Sequence, residues 1–336
     1  MSDSPANDHG MHLALVLKPD GQLETLGEDR LAEIDRLRKR KDTLVWLDIG
    51  DPTPDDLKLL KEEFGLHDLA VEDLRKRRQR PKVDTYPGHH VIVAYEPLDS
   101  GDSARVFDLG ELHLFAGAGY LVSVHWGDSP VIESVRDRFQ KRGAAVGKTA
   151  GWLLYAVLDT TVDGYFPLLD RVSEKIDDLE ERILDVKGGT VLLREVLALK
   201  RQLLLLRRVL APMRDVANQL LRREIEILDD EAVPYYQDLY DHSVRILDSL
   251  DLFRDLVSAT LDAHESVTSN SLNVIVKRLT AATVLLMVPT LIAGVYGMNF
   301  RYMPELQLPL GYPAVLLVMA LTVIGLAWFF RRIGWF

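Results

Sequence analysis

The sequence predicts an α+β (α/β-like) cytoplasmic domain followed by long helices and a two-helix C-terminal transmembrane region. Three observations carry this. Short apolar runs of strand type alternate with charged, helical stretches up to about residue 130. From Val131 the periodicity turns helical and stays so. Near the C-terminus, no charged residue falls between Thr280 and Phe300, or again between Leu306 and Phe330. At ~1.5 Å rise per residue the first of these runs covers roughly 30 Å, the thickness of a bilayer core.

Residues 1–10 are polar and read as a disordered tail without the basic and apolar regions of a signal peptide. The cytoplasmic α/β domain spans 11–148. Its strands are expected at 11–17, 44–49, 82–86, 90–95, 106–115 and 120–125, with a charged helical piece at 29–41. Thr53 suits an N-cap with Pro54 at the first helical position, and that helix runs to Phe64. A short amphipathic helix follows at 66–74; the basic cluster Arg75 to Arg80 extends it until Pro81 stops it. His89 and His90 are neighbours on a strand and face opposite ways, which disfavours a shared metal. The long-helix bundle and stalk span 149–278, with helical stretches at 149–185 and 190–228 and a new start at Pro234. From there no breaker occurs until Pro289, so one helix of almost 100 Å runs from the soluble part into the membrane. The remaining expectations are a first transmembrane helix at 279–299, an external loop at 300–311, a second transmembrane helix at 312–330 and a basic tail at 331–336.

The chain has 336 residues and a formal net charge of −11. That balance argues against nucleic acid as a partner and suits a protein that gathers cations. Cysteine is absent, which excludes disulfides and thiolate metal sites. Lys277 and Arg278 precede the first membrane run, and Arg331 and Arg332 follow the second. Basic flanks favour the cytoplasm, so both termini are expected inside a plasma (inner) membrane and the loop outside.

Two membrane helices cannot enclose a water-filled path, so a conduit requires several copies around an axis. Alternating steps of three and four from Asn273 reach Val276, Thr280, Thr283, Met287, Thr290, Gly294 and Gly297. This stripe of hydroxyls and small residues suits a pore lining. It equally suits close helix packing, and periodicity alone does not separate the two. With no ionisable residue in either run, cation contact falls to hydroxyls, carbonyls and the Asn299 amide. Such neutral oxygens can hold a hydrated Mg2+ through its waters, weakly enough for release.

Tyr296-Gly297-Met298-Asn299, Phe300 and Met303-Pro304-Glu305-Leu306 resemble the signature of the CorA family of divalent-cation channels. Gly311-Tyr312-Pro313, Gln79-Arg80-Pro81-Lys82-Val83 and Tyr240-Asp241-His242 are also similar to family landmarks, and the resemblance covers nearly the whole chain. It implies a funnel-shaped homopentamer in the lipid bilayer that passes Mg2+, with Co2+, Ni2+ or Zn2+ as further candidates. It places Gly297, Met298 and Asn299 at the selective outer mouth. It lines the pore with Asn273, Val276, Leu279, Thr280, Thr283, Met287, Thr290 and Gly294, which tilts the stripe toward a pore. Val276, Leu279 and Met287 would form the narrow apolar stretch that gates by dewetting. Regulatory Mg2+ between subunits is implied at Asp238 and Asp262, with Asp99 as a partner across the joint. Glu305 in the loop would attract cations.

Two other readings remain. A zinc transporter similar to ZntB is disfavoured by the intact Gly-Met-Asn, and a cobalt or nickel transporter differs only in the ion carried. A membrane-anchored helical adaptor or sensor explains the long helices but not the threonine-glycine stripe. No phosphate-binding loop, HExxH or nucleophile elbow is present, so an enzyme is not expected.

Overall fold

The computed structural model describes residues 11–40, 42–101, 105–143, 149–184, 189–222, 227–228, 230–299, 301, 303–304 and 308–335. The tail at 1–10 and Glu305 lie outside the described residues. The chain divides into two compact units, Met1–Glu181 with Thr190–Ala259, and Arg182–Gly189 with Thr260–Phe336.

The first unit is built on a seven-stranded sheet of β1 (Met11–Leu17), β2 (Leu23–Leu26), β3 (Leu44–Gly50), β4 (Lys82–Tyr86), β5 (His89–Leu98), β6 (Asp108–Gly117) and β7 (Tyr120–His125). The strand order is β2-β1-β3-β7-β6-β5-β4. Only the central pair β3–β7 is parallel; the other neighbours are antiparallel. Strands buried on both faces read as continuous apolar runs. Every residue of β3 and β7 is buried accordingly. The sequence reading missed β2: its Leu-Glu-Thr-Leu is too short and polar to stand out, and β1 recruits it through a turn at Gly21, which has φ 84°.

Helix α1 (Ile34–Arg38) follows a 3-10 turn at Glu28–Glu33. Helix α2 (Pro54–Phe64) starts at the expected Thr53, whose side chain accepts from the Asp56 amide while Asp56 returns the bond to Thr53. Leu57, Leu60 and Phe64 of α2 and Ala70, Val71 and Leu74 of α3 (Asp68–Lys76) cover one face of the sheet. The sequence reading ran α3 on to Pro81, but it ends at Lys76. Arg77 and Arg78 take φ of 50° and 55°, and the Glu111 carboxylate of β6 accepts from the amides of Arg78 (2.6 Å) and Gln79 (2.9 Å). A capture made 33 residues away, not the proline, sets this boundary.

The opposite face carries a buried polar row. Trp46 Nε1 donates to Ser123 Oγ (3.0 Å), which donates to Asp48 Oδ1 (2.5 Å), and His125 Nε2 lies 3.5 Å from Asp48 Oδ2. Helix α4 (Pro130–Arg142) packs nearby, where Phe139 meets Trp46 edge-on and the Val131 amide donates to buried Glu96. Burial pushes the Glu96 carboxyl above its ordinary value, against the hydrogen bonds it accepts from Ser129 and Val131. A raised acid contributes stability that is full below its unfolded value and is lost as pH climbs above it. Glu96→Gln should therefore raise the thermal midpoint of the whole chain at pH 8 by a few degrees and leave it unchanged at pH 4. Tryptophan fluorescence of detergent-solubilised protein reads this out, and an equal shift at both pH values would refute it.

Helices α5 (Ala150–Asp163), α6 (Tyr165–Leu184) and α7 (Gly189–Leu221) follow. Gly164 divides the expected single stretch at 149–185 into α5 and α6, and α7 stops at Leu221, short of the expected Leu228. Helix α8 (Val233–Tyr296) is a single run of 64 residues, and α9 (Gly311–Arg332) is the last helix. Both α8 and α9 contain stretches long and apolar enough to cross a membrane.

Candidate ion path

Within the second unit, α8 has two unlike faces. At 100° per residue, Val276, Thr280, Thr283, Met287, Thr290 and Gly294 lie within a sector of about 80°. Every one of them is exposed, as are Asn273 and Leu279. The opposite sector holds buried Ala281 and half-buried Val284, Leu285, Val288, Pro289 and Ile292. Packing within the chain thus uses the aliphatic face and leaves the hydroxyl face unused. Close packing of the threonine-glycine stripe against this chain's own α9 is not what the fold does. Pro289 stands on the covered side, where it interrupts the helix ladder away from the stripe.

The threonines share one geometry. Thr280 Oγ1 donates to the Val276 carbonyl at 2.8 Å, Thr283 to Leu279 at 2.9 Å and Thr290 to Leu286 at 2.7 Å. With its proton committed to the backbone, each hydroxyl offers only acceptor lone pairs outward. The first shell of a hydrated cation presents only donors, so a column of acceptors matches it.

Helix α8 ends at Tyr296, before the expected Asn299. The Gly297 amide closes the last turn on the Ala293 carbonyl at 2.9 Å, and the Met298 amide on Val295 at 3.3 Å. A Cβ at Gly297 would sit 3.2 Å from the Ala293 oxygen, so the close turn fits glycine best. Gly297, Met298 and Asn299 are exposed, and the Asn299 amide has no partner among the described residues. The negative end of the helix dipole lies at this terminus, a favourable place for a cation.

The three aspartates assigned to regulation are not gathered in one chain. Asp99 forms an ion pair with Arg171 at 2.5 Å. Asp238 lies 3.7 Å from His242 Nε2, whose other ring nitrogen is 3.2 Å from Asp163. Asp262 opens on a groove of about 590 Å3 lined by Glu265, Ser266, Ser269, Asn270 and Asn273. Among the described residues no group of three or more His, Cys, Asp or Glu is poised for a metal. The donors are carboxylate, hydroxyl and amide oxygens, which fit a hard cation such as Mg2+, but one chain supplies too few at any one point. Arg171 and the Glu265–Asn270 row are absent from the sequence reading, which names His242 only as a landmark and not as a neighbour of Asp238. The row was within reach: the same alternating steps of three and four, continued backward from Asn273, land on Ser269, Ser266 and Asp262. Arg171 was not, because 72 residues separate it from Asp99.

Comparison with known proteins bears on the chain as a whole. A family described as "CorA-like Mg2+ transporter protein" matches residues 41–332. The chain is 33% identical to a cobalt/magnesium transport protein CorA of Thermotoga maritima, over 93% of this chain and 90% of that protein. It is 34% identical to a putative metal ion transporter, YfjQ, of Bacillus subtilis, over 90% and 93%. The solved CorA magnesium transporter from Methanocaldococcus jannaschii superimposes with a TM-score of 0.82 at 24% identity, over 97% of this chain and 99% of that one; at that identity it speaks for the fold.

Proposed function

The chain belongs to the CorA-like Mg2+ transporter family, and from that premise we propose that it is a channel admitting hydrated Mg2+ to the cytoplasm down its electrochemical gradient. The observation that carries this is the exposed acceptor face of α8, set opposite its packed face and ending in the exposed Asn299. One chain leaves that face uncovered, so several copies must supply the wall. We assign five, lining the axis with Asn273, Val276, Leu279, Thr280, Thr283, Met287, Thr290 and Gly294. Exposed Leu197, Leu204 and Leu205 on α7 and Leu252 on α8 are apolar surface that assembly would bury.

At the outer mouth, Gly297, Met298 and Asn299 meet the ion with its water shell intact. Amide oxygens accept from those waters, and the helix ends add negative potential. Further in, Thr290, Thr283 and Thr280 repeat neutral acceptors at one-turn and two-turn spacing. No fixed charge holds the ion, so release stays fast. The same neutral oxygens discriminate little between Mg2+ and Co2+, and both names occur in the Thermotoga relative. The membrane is the inner, plasma membrane with both termini cytoplasmic, following the basic residues beside each span. Glu305 in the loop supplies local negative charge.

A divalent ion gains about 4.6 kcal/mol per 100 mV of inside-negative potential, enough for roughly a thousandfold accumulation. A conduit of this kind needs a brake set by internal Mg2+. Asp238 and Asp262 stand 24 residues apart on α8, about 36 Å along a straight helix. One ion therefore cannot bridge them within a chain, and each requires carboxylates from a neighbouring copy, Asp99 among them. Mg2+ removes the repulsion at such joints and holds the closed state.

Asp238→Ala with Asp262→Ala should leave the channel conducting at millimolar internal Mg2+ where the parent closes; identical closure in liposome flux would end the assignment. Arg171 already neutralises Asp99, so it competes with the ion. Arg171→Ala should lower the Mg2+ concentration for half-closure, by up to about fivefold per site, the worth of an exposed ion pair. A rise or no change would remove Asp99 from the sensor.

A further inference from the structure

The run Arg75-Lys76-Arg77-Arg78-Gln79-Arg80 plays no part in the ion path, yet the fold holds it firmly. Two successive residues, Arg77 and Arg78, sit at positive φ, a costly arrangement for side chains of this size. Three contacts hold them there. Glu111 accepts the two amides, Tyr95 donates its hydroxyl to the Gln79 carbonyl at 2.7 Å, and the Arg77 guanidinium lies 4.6 Å over the Trp126 ring. Glu111 is itself anchored. Burial would raise its carboxyl, but His113 and the two amides outweigh that and keep it ionised. Of the five cations, Lys76 is paired with Glu72, while the exposed guanidiniums of Arg75, Arg78 and Arg80 have no partner among the described residues.

The same unit carries a complementary face. On α6, Glu174, Asp177 and Glu181 are spaced i, i+3 and i+7, so they share one side of the helix, and all three are exposed. None has a partner among the described residues. An odd-numbered ring cannot be built from self-complementary contacts, because each subunit must meet its two neighbours through two different surfaces. A rigid basic turn and an acidic helix face, both unpaired on one unit of a chain of net charge −11, are such a pair.

We propose that the 75–80 turn of each subunit docks on the Glu174–Asp177–Glu181 face of its neighbour's α6, closing the ring head to tail. The proposal rests on the ring reading above and adds which surfaces meet. Exposed ion pairs are individually weak and screened by salt, so the contact sets register and encounter more than bulk affinity. The strained turn suits that role, since it fixes where the guanidiniums stand before the neighbour arrives.

Because the chain has no cysteine, engineered thiols report cleanly. Arg78→Cys and Asp177→Cys are made in two differently tagged full-length chains, co-expressed, and treated with a short bismaleimide in detergent. The expected product is a covalent dimer carrying both tags, absent when both chains bear Arg78→Cys. With the reporter thiols kept, reversing Arg75 and Arg80 to Glu in both chains should cut that yield at least fivefold. Reversing Glu174 and Glu181 to Arg in both chains as well should restore it. Light scattering on the same samples gives the assembly. An intact ring without the mixed dimer overturns the docking and leaves the ring standing; a monomeric parent protein overturns the ring reading itself. Loss of linking that the compensating reversal fails to restore also overturns it. So does binding of ATP, in calorimetry, that depends on the arginines in a ring giving no mixed dimer, since the turn would then serve a nucleotide.

Discussion

Asn299→Ala lowers Mg2+ flux into liposomes by at least about tenfold, and toward background if the amides of the ring act together. A hydrogen bond to a charged group contributes about 1.5–3 kcal/mol, and about 1.4 kcal/mol is a factor of ten. Here the charge is felt through a water, so the lower end applies to each amide. The loss compounds because, among the described residues, the neighbours within this turn cannot replace it: Met298 offers a thioether, and Gly297 has no side chain. Asn299→Asp separates binding from passage. A carboxylate at the same point holds the ion more strongly, so the concentration for half-maximal flux falls while maximal flux also falls through slow release. A magnesium-sensitive dye inside the vesicles measures both. Unchanged flux in the alanine variant would remove Asn299 from the path.

What could be read in the sequence follows from the range of each interaction. The Thr53 cap, the Pro54 start and the Phe64 end of α2 are local and were legible. The two faces of α8 are local too, because helical period alone sets which residues share a side. Which face the chain would cover was not legible. It emerged only with Ala281, Val284, Leu285 and Val288 packed and the threonines exposed, which shows that the stripe is not a seam within the chain. Interactions across the fold stayed hidden. Glu111 ends α3 from another strand, and Arg171 takes Asp99 from another helix, so neither carries a mark in its own neighbourhood of sequence. Strand β2 was missed for a related reason: its edge pairing, more than its composition, makes it a strand.

Val276→Asn makes the channel conduct at millimolar internal Mg2+, where the parent is shut, by at least about tenfold, and its neighbour Ile275→Asn does not. The comparison is unusually well controlled by the fold. Val276 is 59% exposed and Ile275 60% exposed, they lie one residue apart in depth, and both are β-branched and apolar. They differ chiefly in direction, by about 100° around α8. Val276 falls in the sector of the threonines; Ile275 falls on a flank, toward a neighbouring copy or lipid. A narrow apolar collar stays dry, and a hydrated divalent ion cannot cross a dry segment without surrendering water that it holds tightly. An amide there accepts and donates to water, wets the collar and removes the barrier without changing the brake. Met287→Asn, about three turns further along the same stripe, should act in the same direction. General damage to the helix would make all three variants leak alike, and a gate located elsewhere would leave all three shut. Leak confined to Val276 and Met287 is what an apolar seal on the axis requires, since only residues that face the axis can wet it.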